Sequence, residues 1–135
     1  MVDPMRALVC AALLASALAG AACDNNIASA SDRVTDTKPG TIPVGSFGLT
    51  TFVISKRGEL DIKLKSLTPP FANPIQVALS QQASGSCLAP GAGVPMIVGN
   101  TFPVGLADPG TYCVFLVAPA SMTVDEAFVL EITHP

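Results

Sequence analysis

A strict alternation of apolar and charged side chains over residues 60–65 is the feature that most constrains the fold. In an extended segment, Leu60, Ile62 and Leu64 would lie on one face and the three intervening charged residues on the other. This pattern predicts a half-buried β-strand, with one face against a core and the other in water.

Four further segments are predicted to be strands. Residues 49–55 are β-branched and aromatic, and the Lys56-Arg57-Gly58 turn is predicted to join them to the first strand as a hairpin. Residues 75–80 alternate again, and residues 127–133 would point Phe128 and its alternate neighbours inward. Residues 112–117 have no polar face, which predicts a central strand covered on both sides.

The composition limits the chain to one domain with one core. Of its 135 residues about twenty belong to a leader, and the remainder is rich in Gly and Pro and poor in charge, as turn-rich β proteins are. We predict a single small all-β domain over residues 43–135, an antiparallel β-sandwich of Greek-key or jelly-roll-like topology. The net charge of −3 argues against nucleic-acid binding by a basic face.

An uncharged apolar segment over residues 7–19 follows Arg6. It is too short to span a bilayer as a permanent helix, but it has the length of the apolar region of a signal peptide. We therefore predict a signal peptide over residues 1–22. Asp3 would weaken the positive flank of a chain begun at Met1, so we expect Met5 to be the true start.

The end of this leader is compatible with two modes of cleavage. Ala19 and Ala21 suit an ordinary signal peptidase, whereas residues 18–23 resemble a bacterial lipobox, in which Cys23 becomes the lipidated first residue. The lipobox match departs at Gly20, where a branched residue is usual. We predict lipid attachment at Cys23 and a protein anchored to a membrane of the cell envelope. The alternative is a secreted or periplasmic soluble protein.

The remaining cysteines point to one disulfide bond. Cys10 would leave with the leader, so that the mature chain carries Cys23, Cys87 and Cys113, an odd number in an oxidising compartment. We predict a Cys87–Cys113 bond worth about 3 kcal/mol. Lipidation would account for Cys23; a free or intermolecularly paired Cys23 is the alternative. Residues 24–42 are polar and show no period, so we predict that residues 23–42 comprise the lipid-bearing Cys and a flexible tether.

The run Asp108-Pro109-Gly110-Thr111-Tyr112 combines turn residues with the entry to the apolar strand. It resembles the tyrosine corner of Greek-key sandwiches. Cys113 directly follows the tyrosine and must face the other way, so this is no true immunoglobulin domain. The outward-facing residues after it need a cover, and the loop over residues 87–98, held by the disulfide, is the predicted one.

The order of these segments resembles that of bacterial pre-peptidase C-terminal domains and related secreted sandwiches. The resemblance covers about residues 45–135 and rests on the Lys-Arg-Gly turn, the run Thr68-Pro69-Pro70, the run from Gly110 and the final strand. It implies a jelly-roll-like sandwich that accompanies exported proteins and in some members binds calcium or matrix polymers. Calcium binding would need clustered acids, which this sequence lacks.

No constellation of residues in the sequence specifies a reaction. His134, the single histidine, lies next to the C-terminus, where strands fray, and Asp125-Glu126 is predicted to be a solvated turn. Asp61, among lysines, is predicted to be a cross-strand charge partner. The sequence contains none of the usual phosphate-loop, CxxC or HExxH patterns. We therefore predict no enzyme activity, no metal site and no cofactor.

A binding role remains. Phe71, between prolines, is a candidate partner contact if exposed, and otherwise folds back over the sandwich edge. We predict an envelope lipoprotein whose sandwich binds another exported protein or a matrix polymer, with the membrane contacted through the lipid and no nucleic acid bound. The alternatives are an accessory or chaperone-like domain for a secreted hydrolase and, third, a small secreted enzyme.

Overall fold

The computed structural model describes residues 27–135, which form two antiparallel β-sheets packed face to face. The strands of this region are β1 (Val34–Ile42), β2 (Phe47–Ile54), β3 (Gly58–Thr68), β4 (Ile75–Ala83), β5 (Ser86–Cys87), β6 (Val94–Met96), β7 (Thr101–Ala107), β8 (Gly110–Val117) and β9 (Glu126–His134). Sheet I has the order β1-β9-β3-β7. Sheet II has the order β2-β8-β4-β5, with β6 also paired to β4. The predicted all-β sandwich is confirmed.

The strands pair in a nested order, the first with the last. β1 pairs with β9, β2 with β8, β3 with β7, and β4 with both β5 and β6. A long hairpin rolled up on itself produces this order, and the result is the jelly-roll arrangement of two facing sheets. The topology therefore agrees with the jelly-roll-like fold that the sequence predicts.

Alternate residues of the strands form the core between the sheets. The alternation over residues 60–65 is confirmed, since Leu60, Ile62 and Leu64 are fully buried. The inward direction of Phe128 on β9 is confirmed in the same way. Its ring is 1% exposed and belongs to the main core cluster.

β1 lies where the sequence predicted a tether, and that prediction is wrong from residue 27 onward. All nine residues of β1 pair with β9, and Ala28 donates its N–H to the Arg57 carbonyl at 2.7 Å. β1 lacks the alternating aliphatic side chains that would reveal it, because its inward-facing residues include Asp36, Lys38 and Gly40, and Gly40 leaves room for the Phe128 ring. A Cβ at Gly40 would lie 2.3 Å from that ring. The domain therefore begins before residue 43, the predicted boundary.

The predicted hairpin between residues 49–55 and 60–65 is also wrong. β2 belongs to sheet II and β3 to sheet I, so the Lys56-Arg57-Gly58 segment carries the chain from one sheet to the other. Arg57 Nε lies 3.3 Å from Asp108 Oδ1, in the segment where β7 of sheet I connects to β8 of sheet II. The local sequence identifies the two strands, but it does not determine which sheet each one joins.

β8 is the central strand predicted from its continuous apolar run, with β2 on one side and β4 on the other. Tyr112 enters this strand from the turn and donates its Oη–H to the Asp108 carbonyl at 2.8 Å. Its ring stacks on Phe52, with ring centroids 5.6 Å apart. Burial raises the pKa of the Tyr112 phenol. These contacts are those of a tyrosine corner, as predicted, and they give Tyr112 a structural role.

Candidate interaction surface

The outer face of sheet II is uncharged, and exposed apolar side chains concentrate along its edge strand β2. In the described chain, no strand of this sheet contains a charged residue. On β2 the odd-numbered residues point outward, and Phe47, Leu49 and Val53 are 49%, 44% and 61% exposed. Val117 of β8 lies opposite Phe47 and is also exposed. We call these four residues the apolar face.

The outer face of sheet I has the opposite character. Lys65 Nζ lies 2.7 Å from Glu131 Oε1, and Lys63 Nζ lies 3.6 Å from Glu131 Oε2. The hydrogen bond from Lys65, with a smaller contribution from Lys63, holds the pKa of Glu131 below its usual value. Asp61 on the same sheet pairs with Arg33, which precedes β1. Water therefore solvates one outer surface of the sandwich much better than the other.

The disulfide bond predicted between Cys87 and Cys113 is confirmed, and it crosses the outer face of sheet II. The two Cα atoms are 5.8 Å apart. Cys113 is fully buried and forms a small second cluster with Ala78 and Phe115. The Phe115 ring contacts that of Phe47, with centroids 5.5 Å apart. The bond thus covers the middle of the outer face and leaves the apolar face beside it.

Only part of the predicted covering loop performs that role. Its first part is held by the disulfide and by Ser80, whose Oγ donates to the Leu88 carbonyl at 3.0 Å. β6, in the second part, instead pairs with β4 and places Met96 in the main core. The prediction that residues 87–98 all cover the outer face is therefore wrong for residues 94–96, which extend the sheet.

Phe71, the predicted partner contact, is half-buried and packs against the core. With Pro70 and Val98 it lines a shallow cleft of about 280 Å³. This position matches the alternative in which the ring folds back over the edge of the sandwich. Phe71 is not one of the four residues of the apolar face, and the sequence did not predict that face. The signal in the sequence was that three of the predicted strands, residues 49–55, 75–80 and 112–117, contain no charged residue.

His134 lies in an ordered and packed part of the sandwich, and the strand does not fray there. It ends β9, is buried, and packs its ring against Phe52 with centroids 5.5 Å apart. Its Nε2 lies 3.5 Å from Asp36 Oδ2. Pairing with Lys38 lowers the pKa of Asp36, and His134 contributes to the same shift. The expectation that the strand frays at His134 is wrong, because β1 covers that end of β9.

The side chains of the adjacent acids Asp125 and Glu126 lie in different environments. Asp125 is exposed and accepts a hydrogen bond from the Val44 N–H at 2.9 Å. Glu126 is buried on the core side of β9, and its Oε2 has no hydrogen-bond partner among residues 27–135. The predicted solvated turn is therefore wrong for Glu126. The two carboxyl groups do not face a common cleft.

Within residues 27–135, no group of three or more His, Cys, Asp or Glu side chains is placed to hold a metal ion. No helix in this part of the chain is long and apolar enough to cross a membrane. The predicted signal peptide over residues 1–22 and the lipid attachment at Cys23 lie outside the described residues.

No model of a known protein family matches the chain, and no curated protein matches it. The resemblance to pre-peptidase C-terminal domains stays a prediction based on turn and strand residues. The all-β jelly-roll sandwich is the classification that the structure supports.

Proposed function

We propose that this protein is a non-catalytic envelope lipoprotein whose β-sandwich is a protein-binding module. The observation that carries this proposal is the apolar face on sheet II. Exposed aliphatic and aromatic side chains that cluster on one surface of a small domain are typical of interaction sites. The opposite outer surface carries the ion pairs of Glu131 and is the solvated side.

The chemistry of the apolar face favours a protein partner over a matrix polymer. Polysaccharides are bound by exposed aromatic rings together with polar groups, and Phe47 is the single aromatic residue of this face. Leu49, Val53 and Val117 instead offer aliphatic surface, which is complementary to apolar side chains of another protein. The partner we propose is therefore a second exported protein that contributes an apolar patch.

A lipid on Cys23 would hold the sandwich close to the membrane. Three residues separate Cys23 from Ile27, whose backbone already bridges to Arg57. Even fully extended, this segment reaches only about 15 Å. The sandwich would then lie beside the lipid headgroups, and partners that share the same membrane surface would be the most accessible ones.

The anchor is tested by an intact mass of the mature protein purified from its native envelope. We expect a chain that begins at acylated Cys23 and that gains two hydrogens on reduction, from the Cys87–Cys113 bond. An unlipidated chain cut near Ala21 would contradict the anchor and leave a secreted module.

The binding face is tested by photo-crosslinking in the living cell. A photoreactive residue at Val117, at the end of the central strand β8, should capture another exported protein, whereas the same residue at Lys63, on the outer face of sheet I, should not. Leu49→Lys should reduce the Val117 adduct at least severalfold, because it places a charge on the apolar face two residues from Phe47, which lies opposite Val117. Equal capture from both positions would contradict the proposal.

A further inference from the structure

Three of the four sheet edges formed by residues 27–135 carry features that oppose pairing with another strand. β1 contains Pro39, and its Asp36 and Lys38 lie on the inward side, opposite core residues of β9. β7 contains Pro103. The edge of sheet II far from β2 consists of the short strands β5 and β6, and β6 contains Pro95. Proline, inward charges and short length are the usual protections of an edge strand.

β2 is the fourth edge and has none of these protections. It is eight residues long, without proline or charge, and among the described residues it pairs only with β8. The Ala118 N–H donates to the Ser46 carbonyl at 2.9 Å, just before the first strand pair. Hydrogen-bonding direction alternates along an antiparallel strand, so the even-numbered residues of β2 direct their main-chain N–H and C=O groups to β8. The odd-numbered residues direct their N–H and C=O groups to the free edge.

We propose that the free edge of β2 pairs, antiparallel, with β2 of a second copy of this chain. A two-fold axis at Thr50 brings the odd-numbered residues of the two strands opposite each other. Phe47 then lies beside Val53 of the partner subunit, and Leu49 beside Thr51 of the partner subunit. In this register the free main-chain donors of each strand meet free acceptors of the other, and the outer faces of the two sheets remain on the same side.

The strand that pairs with the free edge comes from a second copy of this chain, because β2 is complementary to itself. The strand is uncharged, so antiparallel self-pairing brings no like charges together. Each half of the interface is the same surface, as a closed two-fold dimer requires. Growth stops at the dimer, since the other edges are protected. The result joins two five-stranded sheets into one and doubles the width of the apolar face.

One strand edge and its side chains bury less than the roughly 800 Å² per partner of a standard stable interface. The dimer is therefore weak, with a dissociation constant of about 1–100 μM. Sedimentation velocity of the exported chain across this concentration range should show reversible dimerisation. This inference goes beyond the proposed function, which concerns the face of the sheet and not its edge.

Thr51→Pro is the decisive variant. Its proline removes an N–H that points to the free edge and leaves the β2–β8 hydrogen bonds in place, so the fold is retained. We expect the dimer dissociation constant to rise at least tenfold with the urea midpoint nearly unchanged. Leu49→Lys should act similarly, because it brings two lysines close to the axis. The matched control is Leu106→Lys, since Leu106 is also an exposed leucine and lies on the edge strand β7.

Two results would overturn the inference. The first is a chain that stays monomeric throughout the concentration range, and the second is a dimer that Thr51→Pro does not weaken while the variant remains folded. Both are separable from failure of the proposed function. If the Val117 adduct with another exported protein persists in Thr51→Pro, the binding face functions without the dimer.

Discussion

Replacing Gly40 by alanine tests whether residues 34–42 are a packed strand of sheet I. A Cβ at Gly40 would lie 2.3, 2.6 and 3.1 Å from three atoms of the Phe128 ring, and the first two distances are shorter than non-bonded carbon atoms show in folded proteins. The ring cannot move into water, because it is 1% exposed in the core. It is also confined from the side of β2, where a Cβ at Gly48 would lie 2.8 Å from the same ring.

The expected change in the free energy of unfolding is the difference between two opposing effects. Overpacking of this kind costs about 1–3 kcal/mol. The loss of a glycine lowers the entropy of the unfolded chain and returns about 0.4–1 kcal/mol. We expect Gly40→Ala to reduce the free energy of unfolding by about 1–2 kcal/mol. With a urea dependence of about 1–1.5 kcal/mol/M for a domain of this size, the unfolding midpoint should fall by about 1 M.

Gly91→Ala is the matched control, since a Cβ there has no atom within 4 Å and the backbone conformation is an ordinary one. Its midpoint should stay the same or rise slightly. Phe128→Leu should reduce stability by itself but should remove at least half of the cost of Gly40→Ala, because the smaller side chain frees the space. If Gly40→Ala proves harmless in the wild-type background, the packing of β1 on β9 is refuted.

Three further predictions concern other contacts. Tyr112→Phe should lower the free energy of unfolding by about 1 kcal/mol in urea titrations, since it removes one part-buried hydrogen bond. Reducing the Cys87–Cys113 bond, which links residues 26 apart, should lower it by about 3 kcal/mol, and a loss below about 1 kcal/mol would contradict the cross-linking argument. Lys65→Met should raise the pKa of Glu131 in an NMR titration. The stabilisation from that lowered pKa is present above the usual carboxyl value and is lost as pH falls through the lowered one.

The sequence predicts strands well where side chains alternate between two different environments. Leu60, Ile62 and Leu64 alternate with charges because one face of β3 meets the core and the other meets water. The corner of Tyr112 is predictable because its turn residues are adjacent in the chain. The Cys87–Cys113 bond follows from counting thiols. Each of these signals depends on neighbouring residues or on the number of cysteines, and both can be read from a single sequence.

The features that the sequence did not predict depend on distant parts of the chain. β1 is polar on its outer side and has Gly40 where the Phe128 ring fills the core, so its own residues resemble a tether. Glu126 is buried because of its place at the start of β9, although its neighbours suggest a turn. The apolar face exists only because β2 and β8 are paired, while their segments are about sixty residues apart in sequence.

The nested pairing of the strands also determines the order in which this protein can be completed. Val34 is held opposite His134, so the first strand of the sandwich has no partner until the last one has been synthesised. Contacts between such distant residues require the closure of a large loop. The entropy of that loop is lost before packing stabilises the structure, which makes folding slow. A growing chain would therefore carry β1 unpaired through nearly the whole of its synthesis, and only the arrival of β9 would complete sheet I.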